Sequence, residues 1–342
     1  MTAAGTLRLG RVVGRDYGIL VALAAFLIVV QTQNDTFFTQ TNLLNIGQQW
    51  SSVGIMAVGM TFVLVAGGFD LSVGAVYAFS ATLAAGIGAH HSAALAFAAA
   101  LAMGAGVGLV NGLLITKVNV NPFITTLGTG QMIRGFALVY SGANILPLES
   151  HFFTTLGDGH VGAVPVSFII LVVVFAVGAV VLARSVYGRW VYAIGGNDEA
   201  SYLSGIRTDA VRTSTYVLSS TCAAFAGCIY VGRLGSGQAS IGQGIEFDVI
   251  AAALIGGISI MGGAGAMWRT AAGLALLAVL QNFFNQTNVN GFWQSVVKGG
   301  IIVGAVAIDS FSKRPRKRPL RMVVQDVGGR LWRRPRGGGP AA

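Results

Sequence analysis

Residues 93–116 read AALAFAAALAMGAGVGLVNGLLIT, twenty-four residues without one acidic or basic side chain. A helix of that length runs to ~36 Å at ~1.5 Å per residue, enough to cross the ~30 Å hydrocarbon core of a bilayer. His90 and His91 precede the run and Lys117 closes it. Within it Gly104, Gly108 and Gly112 recur every fourth residue, which places them on one flat face. Helices in lipid gain little from burying apolar surface against each other and associate by close packing over small residues. That face is therefore read as a packing seam, and Gly300 with Gly304 repeats the pattern near the end of the chain.

Outward from this run, further apolar stretches occupy residues 17–32, 50–66, 73–88, 122–140, 164–183, 213–232, 247–261, 268–286 and 292–308. Several are shorter than the ~20 residues that a straight crossing needs. The expected fold is all-α: a polytopic transmembrane bundle of about ten helices, some tilted, broken or re-entrant. Composition agrees, since 54% of the 342 residues are hydrophobic and only 10% charged, against about a quarter charged in soluble domains. Arg8, Arg11 and Arg15 before the first stretch resemble the start of a signal peptide. No small-x-small cleavage site follows Val30, so the stretch is read as an uncleaved first helix.

Lysine and arginine set the orientation. With the N-terminus inside and ten crossings, Arg8, Arg11, Arg15, Lys117, Arg184, Arg189, Arg207, Arg212, Arg269 and the basic residues from Lys313 to Arg336 all fall inside. These are 19 of the 22 basic residues; Arg233 falls outside, and Arg134 and Lys298 lie within stretches. The expected organisation is a cytoplasmic segment over 1–16, a membrane domain over 17–310 and a basic, disordered cytoplasmic tail over 311–342. That tail explains the net charge of +10 by attraction to anionic lipid. Without interleaved aromatics or a binding fold, it does not indicate nucleic acid.

Catalytic signatures are missing from the sequence. The dipeptide Gly-Lys of a phosphate-binding loop occurs nowhere, and neither H-E-x-x-H nor G-x-S-x-G is found. Gly157, Gly159 and Gly162 form a G-x-G-x-x-G with no strand before it, which excludes a dinucleotide reading. Cys222 and Cys228 lie six apart in an apolar run and are read as small packing residues. The chain is expected to be no enzyme and to hold no cofactor. Uphill transport would draw on an ion gradient or on a separate ATPase that binds the ATP and magnesium itself.

Four places are costly or deliberate in such a protein. In AGGFDLSVG, residues 66–74, Gly67 and Gly68 break a helix, and Asp70 and Ser72 follow. An acid at membrane depth costs several kcal/mol unless it is paired or wetted. Asp70 therefore marks either a discontinuous helix on a pathway or a turn that caps the next helix. In NPFITTLGTGQMIRG, residues 121–135, Thr125, Thr129, Gln131 and Arg134 should face the bundle interior or a watery route, unless Arg134 only pairs with a helix end or an acid. In GGNDEASYLSGI, residues 195–206, Gly195 and Gly196 precede Asn197, a good N-cap. Asp198 and Glu199 suit a first turn, Ala200 and Leu203 continue the helix, and Gly205 stops it. The expectation is a two-turn helix outside the membrane that docks a cytoplasmic partner, with a plain surface loop as the alternative. The fourth place, residues 235–263, combines Gln238, Gln243, Glu246 and Asp248 with the glycine-rich run from Gly256 to Gly263.

Here a resemblance becomes specific. GMTFVLVAGGFDLSVG (59–74), NPFITTLGTGQMIRGFALVYSG (121–142), YAIGGNDEASYLSGI (192–206) and FDVIAAALIGGISIMGGAGAMWRT (247–270) resemble, in register, the permease subunits of ribose-type ABC importers, over roughly residues 17 to 310. The resemblance implies a bacterial inner-membrane pore made with a second permease copy, as a homodimer. It further implies a cytoplasmic sugar-type ATPase and an extracytoplasmic substrate-binding protein as partners. By the same resemblance, the helix from Asn197 to Gly205 is the coupling element gripped by the ATPase, and Asp70 and Arg134 lie in the translocation core, for which Gly67, Gly68, Ser72, Thr125, Thr129 and Gln131 are the further candidates read from the residues. A monosaccharide or similar polyol suits a path of neutral hydrogen-bonding groups such as Thr125, Thr129, Gln131, Ser219, Ser220, Asn282 and Asn285. The competing readings are an ABC permease for another small solute, such as a branched-chain amino acid, and an ion-coupled transporter relaying protons through Asp70.

Overall fold

The computed structural model describes residues 3–33 and 37–312, so the basic tail expected beyond residue 312 lies outside the described residues. Among the described residues each of the ten apolar stretches forms a helix. In chain order the first are α1 (Ala3–Gln33), α2 (Gln40–Val65), α3 (Val73–Gly88), α4 (Ala93–Thr116), α5 (Pro122–Ser141), α6 (His151–Asp158) and α7 (Val166–Arg184). There follow α8 (Val186–Gly196), α9 (Asp198–Leu203), α10 (Thr208–Leu234), α11 (Ile245–Ile255), α12 (Met267–Gln286) and α13 (Gly291–Ser312). Of these, α2, α4, α7 and α10 are long and apolar enough to cross a membrane unaided.

Local chemistry sets the boundaries. Ser92 accepts a hydrogen bond from Leu95 N and starts α4. Asn121 caps α5 ahead of Pro122, and Gly142 stops it at φ +59°, a backbone that glycine adopts without steric cost. The start of α2 lies ten residues before its apolar stretch. Thr39 caps it there through Asn42 N, and Gln40 to Gln49 extend the helix in spite of their polarity. By contrast, α11 ends at Ile255, earlier than its apolar stretch, because Gly256 and Gly257 (φ +86°) turn the chain.

The helix α2 forms the centre: 89% of its apolar window is buried, against 22% for α4 and for α7. Around it pack α10, α7, α11 and α12. The glycine face of α4 is a seam against α10. A Cβ at Gly104 would lie 2.7 Å from Ser220 O, at Gly108 2.5 Å from Tyr216 O, and at Gly112 2.7 Å from Thr213 Cα. No side chain fits at those separations, so the expected packing role holds there. Gly300 and Gly304 meet no neighbour within 4 Å, so their seam has no partner among the described residues.

Two-residue ladders finish one end of the bundle. The strand β1 (Leu146–Pro147) pairs antiparallel with β4 (Ser236–Gly237), and β2 (His160–Val161) pairs with β3 (Val164–Pro165). The G-x-G-x-x-G is accounted for here. Gly157 abuts the backbone of Ile229 and Arg233 on α10, and Gly162 (φ +62°) turns the β2–β3 hairpin.

Candidate functional site

The site is built at the break between α2 and α3. Gly67, at φ +81°, ends α2, and Gly67 N and Gly68 N return to Leu64 O and Val63 O at 2.9 Å each. A Cβ on Gly68 would meet the Tyr216 hydroxyl at 2.3 Å, so α10 fills the space that a side chain there would need. Asp70 follows with 0% exposure. Its Oδ1 accepts from Ser72 N at 3.0 Å and from Ser72 Oγ, which fixes the first turn of α3. Ser72 Oγ in turn accepts from Asn111 on α4 at 3.0 Å, and Asn111 accepts from Thr129 on α5 at 2.7 Å. Leu71 N donates to Thr126 Oγ1 at 3.1 Å. A broken helix exposes backbone groups that lipid cannot satisfy, and here neighbouring side chains satisfy them. The break is thus an internal joint, not a surface turn.

The residues expected on a path divide between interior and surface. Thr125 and Thr129 are turned inward and donate to Asn121 O and to Asn111, while Gln131 is exposed on the outer face of α5. Arg134 is half-buried and donates to Ala239 O at 3.1 Å and Ile241 O at 3.2 Å. It therefore clamps the non-helical segment that descends from the end of α10 along α3. In that segment a Cβ on Gly237 would touch Ala81 O, and a Cβ on Gly74 would touch the Glu246 carboxylate. Ser240 and Gln243 are exposed on the segment, and Gln131 and Arg134 stand on the α5 face beside it. Asn282 bonds Asn42 and Asn285 bonds Gln294, which makes both of them parts of helix-to-helix contacts.

The expected two-turn helix is present as α9. Asn197 Oδ1 accepts from Ala200 N at 2.9 Å, and Gly205 leaves at φ +84°. Glu199 is exposed, as are Tyr202 (69%) and Leu203 (78%), while Ser201 points inward. Asp198 is held by Arg212 of α10 at 3.1 Å. Immediately before α9, Gly195 lies against the end of α2: its Cβ would fall 1.8 Å from Val65 O and 2.6 Å from Gly263 N. Gly263 N donates to Val65 O at 2.8 Å, and Gly262 lies over Gly67, where its Cβ would be 2.7 Å from Gly67 Cα. Gly263 approaches Gly196 as closely. Only glycine permits three backbones to meet this closely. The 256–263 run was legible as a helix breaker, but its meeting with Gly67 and Gly195 was not, because the three positions are far apart in the chain. Tyr192 of α8 adds a bond to Gly265 O at 2.8 Å.

A bundle of apolar helices, broken at a buried polar joint and carrying a small capped helix beside it, has the build of a membrane transport protein. Comparison with known proteins gives the particular kind. A family model described as "Branched-chain amino acid transport system / permease component" matches residues 42–306. The chain is 40% identical over 295 residues to the ribose import permease protein of Bacillus subtilis (strain 168), covering 85% of this chain and 92% of the relative. It is 35% identical over 303 residues to the L-arabinose transport system permease protein of Escherichia coli (strain K12), covering 88% and 92%. With the galactose/methyl galactoside import permease protein of Salmonella typhimurium it shares 35% over 323 residues, covering 89% and 96%. No solved structure matches the chain. The chain belongs to this permease family, and the resemblance to ribose-type permeases read from the four motifs is borne out. These relatives are transport permeases and not enzymes, in keeping with the missing catalytic signatures.

Proposed function

We propose that this chain is the membrane pore subunit of an ATP-binding-cassette importer that moves a monosaccharide or similar polyol into the cytoplasm, driven by a separate ATPase. The observation that carries the proposal is the direct backbone contact of Gly195, three residues before the start of α9, with the α2–α3 break. A partner that grips α9 acts on the joint around Asp70 through the last turn of α8 alone. The exposed Tyr202 and Leu203 give that partner apolar purchase, and a groove of about 670 Å³ between α4, α9 and α10, lined by Leu113, Lys117 and Val217, adjoins it.

The sugar assignment rests on the relatives, whose names specify ribose, arabinose and galactosides. The exposed neutral groups Gln131, Ser240 and Gln243 support it, because exposed polar side chains in a membrane domain belong on a watery route. In this reading the ten helical stretches cross the inner membrane with both termini in the cytoplasm. Residues 1–16 and 311–342 flank the membrane domain on that side, with the basic tail against lipid. A second copy completes the pore as a homodimer, and an extracytoplasmic binding protein delivers the sugar. A branched-chain amino acid is the second reading, favoured only by the description of the family model.

Cysteine labelling tests the route. With Cys222 and Cys228 replaced by alanine, Gln131→Cys should react with a membrane-impermeant thiol reagent, and Thr129→Cys, turned toward Asn111, should react far more slowly. Labelling of position 131 only by a lipid-soluble reagent would place that face against lipid and remove it from the pore.

A further inference from the structure

We propose that the groove between α4, α9 and α10 is a binding site for one anionic phospholipid of the membrane leaflet on the α9 side. The groove has a volume of about 670 Å³ and two unlike ends. Leu109 and Leu113 of α4 and Val217 of α10 line its deeper part, and Lys117, Arg207 and Thr208 line its mouth. The two leucines follow Gly108 and Gly112 of the α4 seam by one residue each, and they are 46% and 42% exposed. Leu109, Leu113 and Lys117 recur every fourth residue, which lays them along about 12 Å of one helix face. Both α4 and α10 are long and apolar enough to cross a membrane, so the deeper part meets acyl chains and the mouth lies at the membrane surface. Aromatic residues mark the same level. Tyr202 lines the groove, and Tyr187 and Trp190 line a second hollow of about 490 Å³ that shares Arg207 with it. Tyrosine and tryptophan gather where headgroups meet hydrocarbon.

Charge selects the lipid. Among the described residues Asp209 is the one carboxylate that lines the groove, and Lys117 holds it at 2.8 Å. The ion pairs among the described residues do not include Arg207, so its guanidinium is the uncompensated charge at the mouth. Arg207 also stands at the start of α10, which has no side-chain cap. The helices α4, α5 and α9 differ, since Ser92, Asn121 and Asn197 answer their first N–H groups. Open N–H groups and the positive end of a helix dipole favour an anion. A phosphodiester answers both the guanidinium and the helix end, while its acyl chain covers the leucines. The cationic group of a zwitterionic lipid finds no acceptor, because Lys117 already occupies Asp209. Basic pockets between membrane helices take anionic headgroups in this way. Tyr202 belongs to α9, so a lipid seated here supports that helix from the membrane side. Glu199 and Leu203 do not line the groove and stay exposed for a cytoplasmic partner.

Lipid binding can be read without ATPase or sugar, so it stands or falls apart from the proposed function. The purified full-length chain in mild detergent is titrated with phosphatidylglycerol and with phosphatidylcholine, and bound lipid is counted by native mass spectrometry. The expected result is one phosphatidylglycerol held per chain under conditions that strip phosphatidylcholine. Arg207→Gln should weaken that retention about fivefold, the worth of one basic residue at an anionic surface. Leu113→Trp, which fills the deeper part, should weaken it as well. Arg189→Gln alters an exposed arginine of α8 that lines neither hollow and should leave it unchanged. Equal retention of the two lipids would overturn the proposal, leaving an ordinary lipid-facing surface. Retention undiminished in Arg207→Gln would overturn it too, and loss of ATPase co-purification in the same variant would then give the groove to the partner protein. Arg207→Gln breaks no ion pair among the described residues, so it decides alone if Leu113→Trp does not fold.

Discussion

At the scale of single residues, the joint depends on atoms that are absent. A methyl group at Gly195 would strike backbone on two sides, Val65 O and Gly263 N, and backbone cannot rotate away as a side chain can. Gly195→Ala is expected to cost about 3 kcal/mol by overpacking and to uncouple transport even in molecules that fold. Thermal unfolding in nanodiscs measures the first effect, and a wild-type midpoint would show that the corner yields. Gly196→Ala is the control, since nothing lies within 4 Å of its Cβ position. Arg134 makes the opposite kind of contribution, with one guanidinium holding two carbonyls of a segment that has no helix of its own. Loss of these charge-assisted bonds should cost about 2 kcal/mol. In Arg134→Gln, hydrogen exchange at residues 238–244 should rise at least tenfold; exchange unchanged there would deny the clamp.

At the scale of elements, α9 separates into an anchored side and an offered side. Asp198 is tied to the fold through Arg212, while Glu199 beside it is exposed. A partly exposed pair of this kind stabilises by no more than about 1 kcal/mol. Glu199 and Leu203 are exposed, and the paired substitution Glu199→Lys, Leu203→Asp should abolish co-purification of the ATPase while leaving the unfolding midpoint within a degree. Co-purification at the wild-type level would sink the docking role of α9. A second element-level link joins α13 to α11, where Lys298 meets Asp248 at 3.1 Å and stands over the Trp50 ring. Both side chains are about a fifth exposed, so Lys298→Met should cost about 2 kcal/mol, less than a fully buried pair. Adding Asp248→Asn should restore much of that loss; no recovery would show that packing, not charge, holds α13.

At the scale of the whole molecule, sequence periodicity and fold agree because lipid leaves the backbone few choices. Ten apolar stretches became ten helices, and the cap at Asn197 and the stop at Gly205 were readable from local chemistry. Two kinds of feature were not readable. The descent of residues 235–244 beside α3 depends on Arg134 reaching carbonyls over a hundred residues away in the chain, a tertiary contact with no local signature. The division between the inward Thr125 and Thr129 and the exposed Gln131 depends on rotational setting, and apolar stretches without strong amphipathic character define that to no better than a turn. Asp70 was visible as a costly acid, yet its partners Ser219, Ser220 and Tyr216 belong to a different helix and show themselves only in the fold.

The central claim is that a grip on α9 drives a sugar through the joint around Asp70. The most direct measurement is ATP hydrolysis by this chain reconstituted in nanodiscs with a sugar-type ATPase and a substrate-binding protein of its own system, across a panel of monosaccharides. The account predicts stimulation by one sugar-loaded binding protein, lost in the Glu199→Lys, Leu203→Asp variant and retained in Gly196→Ala. Transport by the chain alone along an ion gradient, with no ATPase bound and no sugar-dependent hydrolysis, would contradict it.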